Sequence, residues 1–382
     1  MSFLFIDASC INDQNLQQIF DKIPDSCHIG SHWFAASPSK PCHKGQSTLV
    51  SNGTVYNANA LQQKYKIPPK SDFILHRLHK ISPSIMIHAV REFDGDFAFV
   101  HASKYKNRII VARDPVGVLP LFYGSSRGRI VAFSSDVKAL ADLPFINSVE
   151  KFPAGNVWVS SDHNGFFESY TDIFERVTIR EPMERGIQAV IEQAVHKRIQ
   201  RDGPLAFLCN PNSDSESDSE TLIMAAIAHR LFPDQDMCVF SIRSTQSETR
   251  ATNGTNTEQV CINIGIKHVD LTESEATYNT ETAAEFIGEE YPEYKMILSG
   301  QGANELFMCL GQFGNYSTGV ECARESIRLI QNIRVEQCSL EIRFPFLDKD
   351  VIRHVLSIPG TWRRPSNGTC KALLRQSFED YK

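Results

Sequence analysis

Short apolar runs separated by turn-forming residues dominate residues 1–170 of the chain. Runs such as "GDFAFVHAS", "RIIVARD" and "RIVAFSSD" have the length of strands and are bounded by Gly, Asn, Asp and Pro. Helices are predicted only at intervals, notably over Phe73–Lys80 and Met86–Phe93. Many strands with a few helices packed on them predict a layered α+β domain over residues 1–170.

The pattern changes after about Thr171. "MERGIQAVIEQAVHKRI" has the 3.6-residue period of an amphipathic helix. The strand-like runs "PLAFLC", "MCVFSI", "KHVDL" and "KMILSG" then alternate with helical runs, one of them near Thr280–Glu290. This alternation predicts a parallel sheet with right-handed crossovers, in an α/β domain over residues 171–382. Ligands bind beyond the carboxyl ends of such strands, so the loops after Cys209, Ile242 and Leu298 are predicted to line a site.

Composition narrows the classes of partner. The chain has 382 residues, 42% of them hydrophobic, and a net charge of −6. This balance argues against nucleic acid, whose phosphates need clustered Lys and Arg. No apolar run approaches the roughly 20 residues that cross a bilayer, and the start "MSFLFIDASC" lacks a basic segment, so we expect no membrane partner and a cytoplasmic protein. The ten cysteines stand singly without metal-ligand spacing and are expected to be buried thiols.

One turn has the form of a phosphate site. In "MILSGQGANELF", Met296–Phe307, a short apolar run leads into Ser299, Gly300 and Gly302, and "ANELF" begins a helix. Backbone N–H groups at such a turn and at the following helix start are suited to an anion. Gln301 and Asn304 are neutral amides at positions where a nucleotide enzyme often needs carboxylates for metal or proton work.

An acidic loop follows the first strand of the second domain. "NPNSDSESDSE", Asn210–Glu220, places four carboxylates where a phosphate would rest, and without metal they would repel a polyphosphate. Three interpretations stay open: a solvated acidic loop, a metal-assisted phosphate loop, or a substrate of an acidophilic kinase. The third arises because Ser213, Ser215 and Ser217 each have a carboxylate three positions on.

Taken in order, these motifs resemble the glutamine-hydrolysing asparagine synthetase family. "VSNGTVYNANALQQKY", "IIVARDPVGVLPLFYG" and "VEKFPAGNVW" resemble its amidotransferase domain; "LSGQGANELF", "SLEIRFPFLDKDV" and "CKALLRQSFED" resemble its synthetase domain. The resemblance implies an α+β N-terminal nucleophile-type layered sandwich followed by an α/β parallel-sheet ATP-pyrophosphatase-type domain. It also implies ATP and Mg as cofactors. The family activates the aspartate β-carboxylate as an acyl-adenylate, which ammonia released from glutamine attacks.

The first domain departs from the family where glutamine would be hydrolysed. The family uses an N-terminal cysteine, whereas position 2 is Ser2, a poorer nucleophile. Asn52 and Gly53 match the oxyanion-hole pair, and Asp72 matches the residue that holds the glutamine amine. The arginine that clamps the glutamine carboxylate is missing; only Lys40 and Lys44 stand nearby, and lysine lacks the bidentate fork. We therefore expect glutaminase activity to be lost.

The second domain departs from the family at its phosphate loop. The family's S-G-G-x-D-S is replaced by "NPNSDSESDSE", and either Asp214–Ser215 or Asp218–Ser219 corresponds to its Asp-Ser pair. By resemblance, Asp214, Asp218 and Asn304 are the metal ligands. The residues assigned to ATP and pyrophosphate are Ser213, Asp214, Ser215, Asp218, Ser219, Ser241, Ile242, Ser299, Gly300 and Gly302.

Four residues are assigned to the synthetase chemistry by resemblance: Lys371, Glu341, Arg343 and Gln301. Lys371 matches the family lysine that faces the adenylate, where its charge would stabilise a transition state. The alternative for Lys371 is a solvated helix lysine, and "EIRFPFLD" is also read as core packing around a turn. Gln301 stands where the family has a glutamate, and a neutral amide cannot act as a general base.

Two principal hypotheses follow. The first is a ligase that amidates aspartate with free ammonia. The second is a pseudoenzyme, a binding or regulatory partner in a homo-oligomer or in a hetero-oligomer with an active homologue. A third, weaker reading is a relative that forms another amide, as β-lactam synthetases do. The second domain is also expected to be shortened at its C-terminus, since "FEDYK" follows soon after the lysine motif.

Overall fold

The computed structural model divides the chain into two compact units, Met1–Asp172 and Ile173–Lys382. Each unit has buried cores of its own. The structure describes residues 4–7, 27–29, 33–36, 42–45, 47–68, 72–79, 83–103, 108–160, 165–171, 184–199, 203–209, 219–243, 251–272, 280–308, 326, 329, 340–365 and 371–381.

The described strands of the first unit form two antiparallel sheets. The first sheet has the order β10-β8-β9-β1-β3-β2 and the second the order β12-β11-β7-β6-β5-β4. The strands are β1 (Leu4–Asp7), β2 (Cys27–Ile29), β3 (Trp33–Ala36), β4 (Cys42–Lys44), β5 (Ser47–Val55), β6 (Gly95–Ser103), β7 (Arg108–Arg113), β8 (Phe122–Ser126), β9 (Arg129–Ser134), β10 (Ser148–Lys151), β11 (Asn156–Val159) and β12 (Phe166–Ser169).

Successive side chains of β6 point to opposite faces of the second sheet, and this alternation explains how the two sheets stack. Ala98 and Val100 lie in one core together with Phe133 of the first sheet, so the two sheets face each other across this core. Phe97 and Phe99 point to the opposite face and join a second core with three helices. The helices of this unit are α1 (Ala58–Tyr65), α2 (Phe73–Leu78), α3 (Pro83–Arg91) and α4 (Val137–Ala141).

The outer face of the first sheet is covered in the same way. Leu140 of α4 packs in a third core with Val131 of β9. The unit is therefore built in four layers, helix, sheet, sheet and helix, each pair of neighbouring layers holding apolar side chains between them. This arrangement confirms the expected α+β layered sandwich.

The second unit contains a five-stranded parallel sheet of order β15-β14-β13-β16-β17 among its described residues. Its strands are β13 (Leu205–Leu208), β14 (Met237–Arg243), β15 (Lys267–Thr272), β16 (Met296–Ser299) and β17 (Glu341–Arg343). Its helices are α5 (Glu184–Arg198), α6 (Ser219–Leu231), α7 (Ala251–Ile264), α8 (Thr280–Glu290), α9 (Ala303–Leu306), α10 (Lys349–Leu356), α11 (Gly360–Arg363) and α12 (Ala372–Ser377).

Helices connect successive parallel strands, which confirms the predicted α/β domain. The predicted helix over 280–290 is observed as α8, and its Ala283 and Ile287 are buried against the sheet. Gly265 ends α7 in a left-handed conformation, with the N–H of Ile266 donating to the carbonyl of Cys261. Across the described residues, the helices all fall short of the length and apolarity that a membrane span requires.

The cysteines are not all buried. Cys209, Cys238 and Cys261 are buried free thiols, as expected. Cys42 is exposed, which corrects the prediction for this residue. Its strand β4 lies at the edge of the second sheet, and two of its three residues are exposed.

Candidate functional site

The carboxyl ends of three parallel strands meet at one edge of the second unit's sheet. Leu208 at the end of β13 is in register with Phe240 of β14 on one side and with Ser299 of β16 on the other. The segments that follow these strands therefore start next to each other. The predicted site residues of the turn at 299–304 and of the start of α6 belong to these segments.

The turn after β16 is built on two glycines. A Cβ at Gly300 would lie 2.3 Å from Glu220 Cγ, so only glycine permits this approach. Gly302 has φ +99°, and a Cβ there would lie 2.5 Å from Leu347 Cδ2. The N–H of Gln301 donates to Ser299 Oγ at 3.3 Å. The turn therefore requires glycine at both positions, and α9 starts directly after it.

Helix α6 starts at Ser219, so the last two residues of the predicted acidic loop, Ser219 and Glu220, belong to its first turn. Thr221 Oγ1 donates to the carbonyl oxygen of Leu208 at 3.3 Å, which fixes the first turn of the helix at the end of β13. Ser219 Oγ accepts a hydrogen bond from Arg375 Nε at 3.4 Å. Of the two alignments considered for the family's Asp-Ser pair, Asp218–Ser219 is the one that adjoins a helix start. The assigned residues Ser213, Asp214, Ser215 and Asp218 lie outside the described residues.

Lys371 forms a buried ion pair with Glu220. Its Nζ lies 2.5 Å from Glu220 Oε2, and the two side chains are 0% and 4% exposed. The alternative of a solvated helix lysine is therefore wrong. Lys371 has φ +56° and directly precedes α12. The sequence marks Glu220 as one acid among four in the loop, but only the fold reveals that it pairs with a lysine 151 positions away.

Gln301 and Glu305, on the segment that follows β16, are both partly buried. Burial raises the pKa of Glu305, and the charge of Lys371 opposes that rise. The side-chain oxygen Oε1 of Gln301 is buried and accepts no hydrogen bond from the part of the chain that the structure describes. The described residues hold no group of three or more His, Cys, Asp or Glu side chains arranged for a metal ion. Of the three expected metal ligands, Asn304 lies within the described ranges, whereas Asp214 and Asp218 lie outside them.

Arg343 and Glu341 take part in a different network. Arg343 Nε donates to Glu341 Oε1 at 2.8 Å, and its Nη1 donates to the carbonyl oxygen of Arg198 at 2.6 Å. Arg198 Nη1 and Lys197 Nζ in turn contact Asp348 Oδ2 at 2.5 and 2.6 Å. Burial works to raise the pKa of Asp348, but the two cations outweigh it and hold that pKa below its ordinary value. These bonds hold α5, β17 and the start of α10 together. Such a network is typical of a structural role.

Ser241 belongs to a polar cluster on β14 and β15. Its hydroxyl donates to Asp270 Oδ1 at 2.7 Å and lies 2.8 Å from His268 Nε2. His268 and Asp270 were not among the predicted site residues. Their spacing of two on a strand puts them on one face, which is the signal that was available in the sequence. Ile242, the other assigned residue of β14, is half-buried and packs against the sheet core.

In the first unit, Asn52 and Gly53 lie on β5 opposite Ala98 and Phe97 of β6. Gly53 has φ +84°, and a Cβ there would lie 2.1 Å from the carbonyl oxygen of Asp96. The backbone at the expected oxyanion-hole pair therefore tolerates only glycine. Ser2 and Lys40 lie outside the described residues.

The other two residues expected near glutamine already have partners within the chain. Asp72 caps α2, its Oδ1 accepting the N–H of Leu75 at 2.8 Å. Burial and the Asp72 carboxylate raise the pKa of the neighbouring Cys42 thiol, which disfavours its reactive thiolate. Lys44 Nζ lies 2.6 Å from His76 Nδ1.

The "ARDPVGVLP" motif is explained by a buried turn. Both carboxylate oxygens of Asp114 accept backbone N–H groups, from residues Val116, Gly117, Val118 and Leu119. Arg113 donates to the carbonyl oxygens of Leu119, Phe152 and Gly117 at 2.7, 2.7 and 2.6 Å. Arg113 and Asp114 provide hydrogen-bond partners for the backbone N–H and C=O groups of a turn that is shielded from water. We therefore assign this motif a structural role.

Two protein families match parts of the chain. The glutamine amidotransferase domain matches residues 35–142, and asparagine synthase matches residues 335–382. A probable glutamine-hydrolysing asparagine synthetase of Acanthamoeba polyphaga mimivirus is 25% identical over 387 residues, covering 87% of this chain and 69% of the relative. The glutamine-hydrolysing asparagine synthetase of Cricetulus griseus is 27% identical, with 87% and 68% covered. Asparagine synthetase 3 of Arabidopsis thaliana is 26% identical, with 94% and 68% covered.

Solved structures resemble the chain more distantly. Glutamine phosphoribosylpyrophosphate amidotransferase from B. subtilis has a TM-score of 0.35 at 11% identity, covering 80% of this chain and 77% of that one. The U34-tRNA thiolase NcsA from Methanococcus maripaludis has a TM-score of 0.29 at 10% identity, with 54% and 80% covered. The fold assignment rests instead on the sheet topology described above. The two domain matches and the relatives that span most of its length thus make the chain similar to the asparagine synthetase family.

Proposed function

We propose that this chain is a catalytically inactive member of the asparagine synthetase family that acts as a cytoplasmic binding or regulatory partner of an active homologue. The observation that carries this proposal is the buried ion pair between Lys371 and Glu220. In the reaction that the resemblance implies, ATP, aspartate and ammonia from glutamine are the substrates. In that reaction the family lysine would stabilise the adenylate by its positive charge. Here the positive charge of Lys371 is paired with the carboxylate of Glu220.

The energetics favour the internal pair over a substrate. Removing one partner from a buried ion pair costs about 3–5 kcal/mol, because the other charge is left without compensation. An incoming phosphate would have to displace the Glu220 carboxylate from Lys371. A carboxylate held in place by its own helix has no translational freedom to lose, whereas a free nucleotide does.

Substitutions elsewhere support the same proposal. Gln301 and Asn304 provide amides where the resemblance expects a base and a charged metal ligand, and neither can be ionised. In the first unit, Lys44 is engaged by His76 and Asp72 by the N–H of Leu75, which supports the loss of glutamine hydrolysis.

The proposal is tested by ATP–pyrophosphate exchange with aspartate, Mg²⁺ and ammonia. We expect no exchange above background from the purified chain, because adenylate formation needs the Lys371 charge that Glu220 neutralises. A glutamine-hydrolysing member of the family, assayed in parallel, is the positive control. Exchange that disappears in a Lys371→Met variant would instead establish the ammonia-using ligase.

A second assay addresses the first unit. Glutamine incubated with the same protein is expected to release no glutamate above the uncatalysed rate. Clear release that depends on protein concentration would contradict this part of the proposal, and it would make Ser2 the first candidate nucleophile to replace.

A further inference from the structure

We propose that a second copy of this chain adds its strand β15 to strand β15 at the edge of the parallel sheet. The two strands pair in antiparallel register about a two-fold axis through Val269, so the two sheets continue into one another. This inference goes beyond the proposed function, because it concerns assembly of the chain with itself. Catalytic activity of the purified protein would neither support it nor contradict it.

Strand β15 is the longest edge strand in the described part of the chain. It ends one side of the parallel sheet and has six residues, whereas the other edge strands have three or four: β2, β4, β10, β12 and β17. Short edge strands protect a sheet from pairing with another chain, whereas a long one offers a row of backbone N–H and C=O groups. Of these described edges, β15 is therefore the one best suited to strand addition.

A two-fold axis perpendicular to the sheet fixes which residues face each other across the edge. With Val269 on the axis, His268 lies opposite Asp270 of the second copy, and Asp270 lies opposite its His268. Both side chains contact Ser241 Oγ, at 2.8 and 2.7 Å, so they lie on one face of β15. Side chains directly opposite on one face have Cβ atoms about 4.5–5.5 Å apart, within reach of an imidazole and a carboxylate. The dimer therefore contains this complementary pair twice.

The neighbouring registers lack this complementarity. An axis through Asp270 sets two carboxylates against each other, and an axis through His268 sets two imidazoles against each other. Like charges directly opposite on a sheet are destabilising. In the proposed register Lys267 lies opposite Leu271, so its exposed ammonium faces no other cation. The charges along β15 thus favour one register, as a specific interface requires.

Apolar surface is available beside this edge. Ile262 is 62% exposed, the highest value among the large apolar side chains of the described residues. It belongs to α7, which packs on β15. An axis perpendicular to the sheet places the α7 helices of both copies on the same face of the extended sheet. A pair of strands alone is marginally stable in water, so we expect burial of apolar groups beside the paired strands to strengthen the dimer.

The first test is disulfide cross-linking at the axis. Val269→Cys places one new thiol of each copy opposite the other, and the Cα atoms of such a pair, about 4.5–5.5 Å apart, fit a disulfide. We expect mild oxidation to convert this variant into a covalent dimer. Lys267→Cys is the matched control: it is more exposed, but its two copies would lie about 14 Å apart along the strands.

The control is expected to cross-link no more than the wild type, whose own cysteines set the background. A Val269→Cys protein that cross-links no more than Lys267→Cys would overturn the proposal.

The second test is charge exchange, measured by sedimentation equilibrium. We expect the wild type to form a dimer at micromolar concentration, with twice the 43.0 kDa mass of the chain. His268→Asp sets two carboxylates opposite each other at both pairs and should weaken the dimer at least about tenfold. Adding Asp270→His exchanges the two residues, restores both complementary pairs and should recover the wild-type affinity to within about threefold.

A His268→Asp dimer of unchanged strength would overturn the proposal. A wild type that stays monomeric would overturn it as well, and would leave a strand of another protein as the candidate for this edge.

Thermal unfolding shows whether each variant is folded. If His268→Asp is unstable because two carboxylates adjoin Ser241, the double variant carries the test, since it keeps one imidazole and one carboxylate beside that hydroxyl. A double variant that unfolds at the wild-type temperature and yet stays monomeric would contradict the proposed register.

Discussion

At the scale of single residues, His101 shows how burial decides what a side chain contributes. It lies on β6, is 1% exposed, and both ring nitrogens lack a hydrogen-bond partner in the described part of the chain. Burial and, to a smaller extent, the nearby His79 lower the pKa of His101 to about 4. The imidazole is therefore neutral in the folded protein at neutral pH.

This pKa predicts acid sensitivity of the first unit. Below pH 6.5 the unfolded chain protonates His101, while the folded chain does so only near pH 4, so stability is lost as pH falls through this window. The contribution is on the order of 3 kcal/mol. We expect His101→Phe to reduce the loss of urea stability between pH 7 and pH 4.5. His88→Phe, at an exposed position of α3, is the control and should leave the pH dependence unchanged; equal slopes for His101→Phe and the wild type would contradict the prediction.

The structural roles of single residues were predictable from the sequence where they depend on local motifs. The glycines of the turn at 299–302 follow from their sequence context, because a tight turn needs them wherever it occurs. The partner of Lys371 was not predictable, since Glu220 is 151 positions away and looks like its acidic neighbours until the sheet brings the two segments together. Arg343 was assigned to chemistry by resemblance, and only its bonds to Glu341 and the Arg198 carbonyl reveal a structural engagement.

At the scale of elements, strand β5 depends on one glycine. A side chain at Gly53 would clash with the carbonyl oxygen of Asp96 on β6 and come within 2.4 Å of Leu119 Cδ1. We expect Gly53→Ala to destabilise the first unit by about 3 kcal/mol or more, because the backbone of a central strand pair has to move.

The hairpin between β8 and β9 offers the matched control. Gly128 also has a positive φ, +78°, but a Cβ there meets nothing within 4 Å. Gly128→Ala should therefore cost only about 1 kcal/mol, the strain of the left-handed backbone alone. Thermal unfolding of both variants separates the cost of the steric clash at Gly53 from the cost of the left-handed backbone alone. Equal shifts in midpoint would contradict the role assigned to the Asp96 contact.

Elements were predictable where a periodic pattern was long enough to be read. Helix α8 was expected over the residues where it is found, because its apolar positions repeat at helical spacing over three turns. Helix α4 was missed, since five residues are too short to show a period. Its one local signal is Asp136, whose side chain caps the helix by accepting the N–H of Lys138 at 2.8 Å.

At the scale of the whole molecule, the chain consists of two units with separate cores. Domains with their own cores commonly unfold in separate steps. We expect urea unfolding to show two transitions. Tryptophan fluorescence should report mainly the first unit, because Trp158 is 3% exposed in its core whereas Trp362 of the second unit is 58% exposed.

Far-UV circular dichroism reports both units and provides the comparison. Gly53→Ala is expected to shift the fluorescence transition to lower urea and to leave the second dichroism step in place. Coincident curves from the two probes in the wild type would contradict separate unfolding of the units.

The ion pair between Glu220 and Lys371 also bears on how the second unit is completed during synthesis. At 5–20 residues per second, the ribosome adds Lys371 about 8–30 s after Glu220. Strand β13 precedes Glu220, and β14 to β17 are made within that interval, so the parallel sheet can begin to form while the carboxylate at its edge still lacks its cation. The Glu220 carboxylate gains the Lys371 ammonium only when the segment that contains Lys371 and α12 has been made. Docking of that C-terminal segment is therefore the step that completes the edge of the sheet.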